Sequence, residues 1–83
     1  MALWRNAMDL TIPDLGEVQE VMFLRWLKGE GETVEAGEAV AEVEADKAVF
    51  VIEAPVSGTL RALCAQAGQR LPPGQKIGEI LPE

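Results

Sequence analysis

Apolar residues in this chain come in short runs rich in Val, Ile, Leu and Phe, and glycine or proline cuts off each run. The breaks fall at Pro13 to Gly16, Gly29 to Gly31, Gly37, Pro55 to Gly58, Gly68, Pro72 to Gly74 and Gly78. Runs this short do not make ordinary helices, and turn signals at such even spacing are those of a small β-sandwich or barrel. The pattern predicts strands over Asp9–Ile12, Met22–Leu27, Ala39–Ala45, Ala48–Ala54, Gly58–Leu63 and Lys76–Leu81. Thr33–Gly37 and Arg70–Gly74 read as tight turns, each with one inward residue.

A repeat organises these pieces. Gly31-x-x-Val34-x-x-Gly37-x-x-Val40-x-x-Val43 recurs at a constant offset as Gly68-x-x-Leu71-x-x-Gly74-x-x-Ile77-x-x-Ile80. Upstream, Leu24-Arg25-x-Leu27 recurs as Leu60-Arg61-x-Leu63 at an offset one residue shorter, which places a gained residue in the loop between. An apolar position at every third residue resembles a helical stripe, but glycine at alternate steps argues against a helix. Neither half could bury its apolar face alone, so the two are expected to pack face to face as two sheets about a pseudo-two-fold axis.

The halves are joined by Ala41-Glu42-Val43-Glu44-Ala45-Asp46-Lys47-Ala48-Val49-Phe50-Val51-Ile52. A two-residue turn at Asp46-Lys47 pairs Ala45 with Ala48, Val43 with Phe50 and Ala41 with Ile52 on the inward face, and sets Glu44 and Glu42 opposite Val49 and Val51 on a partly solvated one. Lys47 then projects from the tip. Asp-Lys is a weak sequence for such a turn, which leaves a type I turn open. On physics alone, an exposed tip lysine is a solvated charge that blunts a sheet edge.

Composition narrows the chemistry. At 83 residues the chain is one small domain, which buries only about 60% of its unfolded surface and leaves little room for an enclosed active site. Fourteen acidic against seven basic side chains give a net charge of -7, which disfavours nucleic acid and anionic membrane surfaces. No stretch approaches the roughly 18 apolar residues of a membrane span. There is no His and one Cys, so one chain supplies no zinc cluster, Cys-His nucleophile or internal disulfide. Cys64, in the run Leu60 to Cys64, reads as a small core residue, and a soluble cytoplasmic protein is expected. Residues 1–8 read as a flexible N-terminal extension, with Met8 a possible second start, and 9–82 as the domain.

Glu44-Ala45-Asp46-Lys47-Ala48 resembles the attachment motif of lipoyl domains from the acyltransferase components of 2-oxo acid dehydrogenase complexes. Pro13-Asp14-Leu15-Gly16-Glu17 is similar to that family's opening turn, Arg25-Trp26-Leu27-Lys28 to its second strand, and Pro55-Val56-Ser57-Gly58 to the turn after the lysine hairpin. Gly31, Val34, Gly37, Gly68, Gly74 and Ile80 fall at family spacings, so the resemblance covers about Asp9 to Pro82. It implies an all-β flattened barrel of two four-stranded antiparallel sheets, with the lysine hairpin at one end and both termini at the other.

The same resemblance implies that Lys47 carries lipoic acid in amide linkage. The dithiolane would be reductively acylated by a thiamine-dependent 2-oxo acid dehydrogenase, would pass the acyl group to coenzyme A on the acyltransferase core, and would be reoxidised by a flavin-dependent dihydrolipoyl dehydrogenase. A lipoate ligase or lipoyl transferase would install it, in the cytoplasm or, for a eukaryotic protein, the mitochondrial matrix. Asp46, Ala48 and Glu44 would serve recognition at the tip. Glu17 and Glu20 belong to an opening loop one residue shorter than is usual in the family; there it helps the dehydrogenase choose its carrier. Such a module is a carrier and not an enzyme, and Leu81-Pro82-Glu83 reads as the start of a linker. Two alternatives stay open: a biotin carboxyl carrier domain, whose tip resembles Met-Lys-Met, and an unmodified structural hairpin. Carriers of glycine cleavage are longer and bear added helices.

Overall fold

The computed structural model describes residues 6–83, which form eight strands and no helix: β1 (Met8–Thr11), β2 (Val21–Trp26), β3 (Thr33–Val34), β4 (Ala39–Ala45), β5 (Ala48–Glu53), β6 (Gly58–Arg61), β7 (Arg70–Leu71) and β8 (Lys76–Pro82). They make two four-stranded antiparallel sheets, ordered β1-β8-β6-β3 and β5-β4-β2-β7. This is the flattened all-β sandwich expected of the sequence. The two segments read as tight turns each contribute a two-residue strand, β3 and β7, and each supplies one buried side chain, Val34 and Leu71. Met1 to Arg5 of the expected extension lie outside the described residues. Its last residue, Met8, opens β1 and pairs with Ile80.

Exchanging β1 with β5, β2 with β6, β3 with β7 and β4 with β8 turns one sheet order into the other, which is the pseudo-two-fold symmetry the repeat predicts. The backbone repeats it bond for bond. Gly31 N donates to Leu60 O and Gly68 N to Phe23 O, both at 2.8 Å; Leu60 N donates to Glu32 O at 2.9 Å and Phe23 N to Gln69 O at 2.8 Å. Each half's turn is thus bonded to the other half's strand. The turns need glycine because Gly31 and Gly68 both have φ 89°, a left-handed conformation that a Cβ disfavours.

These bonds correct one detail of the repeat. They equate Phe23 with Leu60, and the matching bonds Leu27 N to Val40 O and Cys64 N to Ile77 O equate Leu27 with Cys64, all at the offset of the glycines. Only the arginines fall one short, Arg25 facing Glu42 and Arg61 facing Glu79. The extra residue comes before the arginine in β2, where the register shifts between Phe23 and Arg25, and after it in β6, where Ala62 takes φ 53°. No residue is gained in the loop. The left-handed Ala62 also ends β6 at Arg61, short of the expected Leu63, and inverts the alternation beyond it. Ala65 is buried, while Cys64 is exposed, contrary to its reading as a core residue.

Between the sheets, Phe23, Val40, Val43, Leu60, Ile77 and Ile80 have no exposed surface. Trp26 lies across this core with its ring 5.1 Å from that of Phe23, and its Nε1 donates to Ala65 O at 2.9 Å, so the indole meets its polar need on the opposite half. Close approach fixes Gly58, where a Cβ would collide with the carbonyl oxygen of Leu81 and lie 2.8 Å from Ile80 Cγ2. Gly58→Ala should therefore lower the unfolding free energy by about 1–3 kcal/mol, read as a lower urea midpoint, because backbone on the facing strand must move.

The surface is pinned by ion pairs: Arg25–Glu42 at 2.8 Å, Lys28–Glu38 at 2.8 Å, Arg61–Glu79 at 3.2 Å, and Lys76 with Glu79 at 2.6 Å and Asp9 at 3.4 Å. The Lys76 hydrogen bond holds the Glu79 carboxyl below its usual value, and the Lys28 bond does the same for Glu38. Reciprocally, both lysines are raised. A carboxyl lowered by folding stabilises the fold above the ordinary carboxylate range and ceases to do so as pH falls through it; a raised lysine loses its contribution only as pH rises past the ordinary lysine range. The urea midpoint at low salt should fall modestly on the acid side, and less so in Glu38→Gln with Glu79→Gln, since exposed pairs contribute little each.

Candidate functional site

The hairpin β4–β5 takes the register read from the sequence: Ala45 faces Ala48, Glu44 faces Val49, Val43 faces Phe50, Glu42 faces Val51 and Ala41 faces Ile52. Its two turn residues are Asp46, at φ 50°, and Lys47, at φ 69°. Positive φ at both central positions is the pattern of a type I′ turn, not the type I turn left open by the sequence. A two-residue connection must match the right-handed twist of its strands, and the six-pair ladder of β4 with β5 imposes that match against the preference of the residues. Asp tolerates the left-handed region, whereas Lys gains nothing there.

Ala45 is buried, and the next three residues, Asp46, Lys47 and Ala48, are exposed. The Lys47 side chain has no hydrogen bond or ion pair among the described residues, unlike Arg25, Lys28, Arg61 and Lys76. Small alanines on either side of the turn leave the amine clear of bulk. The chain between β1 and β2 lies against the tip: Leu15, Glu17, Val18, Gln19 and Glu20 line a shallow depression together with Asp46. Leu15 and Val18 anchor that loop on the core, and Asp14 Oδ1 accepts from Gly16 N at 3.0 Å to fix its bend. Of the residues singled out for recognition, the fold gathers Asp46, Glu17 and Glu20 in one place. Glu44 stands exposed on the outer face of the hairpin and Ala48 at the start of β5. Lys47 is thus an accessible amine in an acidic setting.

Met8 and the end of β8 lie at the far end of the sandwich, since β1 runs from Met8 towards the loop that meets Asp46. One inward position departs from expectation. Phe50 is 36% exposed although it faces Val43, because β5 is an edge strand and the space between it and β1, the edge of the other sheet, is open. Val49 and Val51 are 58% and 47% exposed. The resulting apolar groove was not anticipated; the signal for it is the unbroken run Val49-Phe50-Val51-Ile52, where a strand with one solvated face should alternate.

Two antiparallel sheets with interlocked halves and an exposed lysine on a strained hairpin tip define a small all-β module with an accessible amine at one end. Residues 8–80 match the model of the Biotin_lipoyl family, described as biotin-requiring enzyme, and the chain belongs to that family. It is 34% identical over 77 residues to the dihydrolipoyllysine-residue succinyltransferase component of the 2-oxoglutarate dehydrogenase complex of Buchnera aphidicola subsp. Baizongia pistaciae, covering 92% of this chain and 19% of that protein. With the dihydrolipoyllysine-residue acetyltransferase component of the pyruvate dehydrogenase complex of Staphylococcus aureus the identity is 35% over 75 residues, 89% of this chain and 17% of the other. The chain thus spans about a fifth of the length of these curated relatives.

Among solved structures, the urea carboxylase of Kluyveromyces lactis superposes with a TM-score of 0.79 at 24% identity, over 96% of this chain and 7% of that one. The lipoyl domain of the 2-oxoglutarate dehydrogenase complex from Azotobacter vinelandii does so at 0.67 and 22% identity, over 86% and 94%. Both likenesses concern the fold, which these two proteins share.

Because the left-handed turn is imposed on a lysine, Lys47→Gly should raise the unfolding free energy by about 1 kcal/mol in urea denaturation. A decrease would show that the lysine side chain stabilises the tip.

Proposed function

We propose that this chain is a lipoyl carrier domain of a 2-oxo acid dehydrogenase complex, with Lys47 as the attachment residue and no catalysis of its own. The observation that carries the reading is the placement of Lys47, an unpaired exposed amine at a two-residue turn that costs conformational energy to maintain. Lys47 fits an amide-linked group, because acylation removes a charge that has no partner to lose. Asp46 and Ala48 favour lipoate over biotin, since the biotinyl tip resembles Met-Lys-Met. The names of the relatives point the same way.

When bound, the lipoyl group supplies a dithiolane that takes up an acyl group and electrons together. The residues of this chain hold and display its anchor. The β4–β5 ladder and the buried Ala45 keep the tip stiff, so that a long arm sweeps a defined volume and the effective concentration at neighbouring sites is high. Glu17, Glu20 and Asp46 offer the thiamine-dependent dehydrogenase an acidic edge beside the arm, and Glu44 and Ala48 complete the surface read by the lipoylating enzyme. An acyltransferase core and a dihydrolipoyl dehydrogenase would be the remaining partners. A biotin carrier is the second reading, favoured by the description of the matched family as biotin-requiring enzyme.

Incubation with a lipoate ligase, ATP and lipoate should add one lipoyl group, located at Lys47 by peptide mass spectrometry and absent in Lys47→Ala. A biotin ligase should leave the chain unmodified, and Asp46→Met with Ala48→Met should admit it. Biotinylation of the unaltered chain without lipoylation would reverse the assignment.

A further inference from the structure

The open groove between the edge strands β1 and β5 begins beside the lysine. Val49, two residues after Lys47, is its first wall on β5, with Leu15 of the opening loop also at the tip end; Phe50, Val51, Pro55 and Met8 continue it towards the far end of the sandwich, where Asp9 and Glu53 also line it. Val49, Phe50, Val51 and Met8 are all substantially exposed, an unusual number of large apolar side chains along one edge of a small acidic domain, with Phe50 on the inner face of β5 and the valines on the outer. Lys47 sits on the β5 side of the turn, so its side chain departs from the strand that forms one wall.

We propose that this groove is the resting site of the acylated Lys47 side chain, a reading that rests on the carrier assignment above. The occupant is chosen by chemistry. A free ammonium would have to leave water to enter, which is costly without a partner, and the two carboxylates that line the groove, Asp9 and Glu53, lie towards its far end, Asp9 already beside Lys76 at 3.4 Å. Amide formation removes the charge and leaves an aliphatic chain, for which exposed valine, phenylalanine and methionine are a favourable surface. The arm reaches the nearer half of the groove: from Lys47 to Val51 the hairpin runs roughly 13 Å at the usual strand rise, within the span of a lysine extended by a medium-length fatty acyl group. A second copy of the chain is a poorer occupant, because the net charge of -7 and the exposed Glu44 and Glu53 on the same hairpin would repel it. The arm also covers the apolar edge that would otherwise invite pairing with another chain.

The test compares methyl-labelled NMR spectra of the 83-residue chain before and after lipoylation, with modification at Lys47 confirmed by mass spectrometry. Methyl resonances of Val49, Val51 and Leu15 should shift and show cross-relaxation with arm methylenes. In lipoylated Val51→Asp, folded by the same spectra, the shift at Leu15 should be lost, and a water-soluble phosphine should reduce the dithiolane faster. Shifts confined to Ala45 through Ala48 on a chain that is fully lipoylated would overturn the proposal and leave the carrier reading intact. Shifts that follow protein concentration rather than lipoylation would also overturn it, in favour of self-association. A chain that is not modified at Lys47 would overturn the carrier reading, and this proposal with it.

Discussion

Gly31 donates to a carbonyl in the second half of the chain, Gly68 donates to the equivalent carbonyl in the first, and neither half can close its own sheets without the other. This reciprocal bonding, made around a core of facing Val, Leu, Ile and Phe side chains, is the constraint on which the rest of the structure depends. It makes folding all-or-none for a chain too short to carry two cores. It also explains why small residues sit where they do. Gly58 lets the opposite strand approach, and Gly78 leaves room for Leu63, the nearest atom of which would lie 2.9 Å from an added Cβ.

The lysine hairpin inherits its geometry from that arrangement. β4 lies inside its sheet between β2 and β5, so its register is held from both sides. A turn that joins it to β5 in two residues has little freedom, and Asp46 and Lys47 accept a backbone conformation that glycine would adopt more readily. Such local strain persists only where surrounding structure outweighs it, and it is found where position matters more than stability. In the related position of the fold, the end of β8 and the start of β1 are not joined by a turn, so the symmetry of the scaffold is broken at the Asp46-Lys47 tip.

Charge is distributed with the same asymmetry. Arg25, Lys28, Arg61 and Lys76 are each matched to a carboxylate along the body of the sandwich, while the tip gathers Glu17, Glu20, Glu44 and Asp46 about a lysine that pairs with none of them. The body gains modest, salt-sensitive stability from its pairs. The tip instead carries a local field suited to encounter with basic surfaces, beside an apolar edge suited to a neutral chain.

The sequence by itself determined the strand order of the hairpin, its register and the identity of its tip, because alternation and cross-strand pairing are local and a one-residue slip would turn Val43 and Ala45 out of the core. It also determined the two-fold repeat, since glycines with left-handed turns recur at fixed spacing. Only the tertiary structure decided the rest. Ala62 reverses the alternation after β6, so Cys64 faces solvent and Ala65 the core, an outcome that depends on how β6 must meet β8 and not on any residue preference nearby. The handedness of the Asp46-Lys47 turn follows from strand twist rather than from turn propensity. Phe50 is left part-exposed because β5 ends its sheet, and which strand lies at an edge is settled by the packing of all eight together.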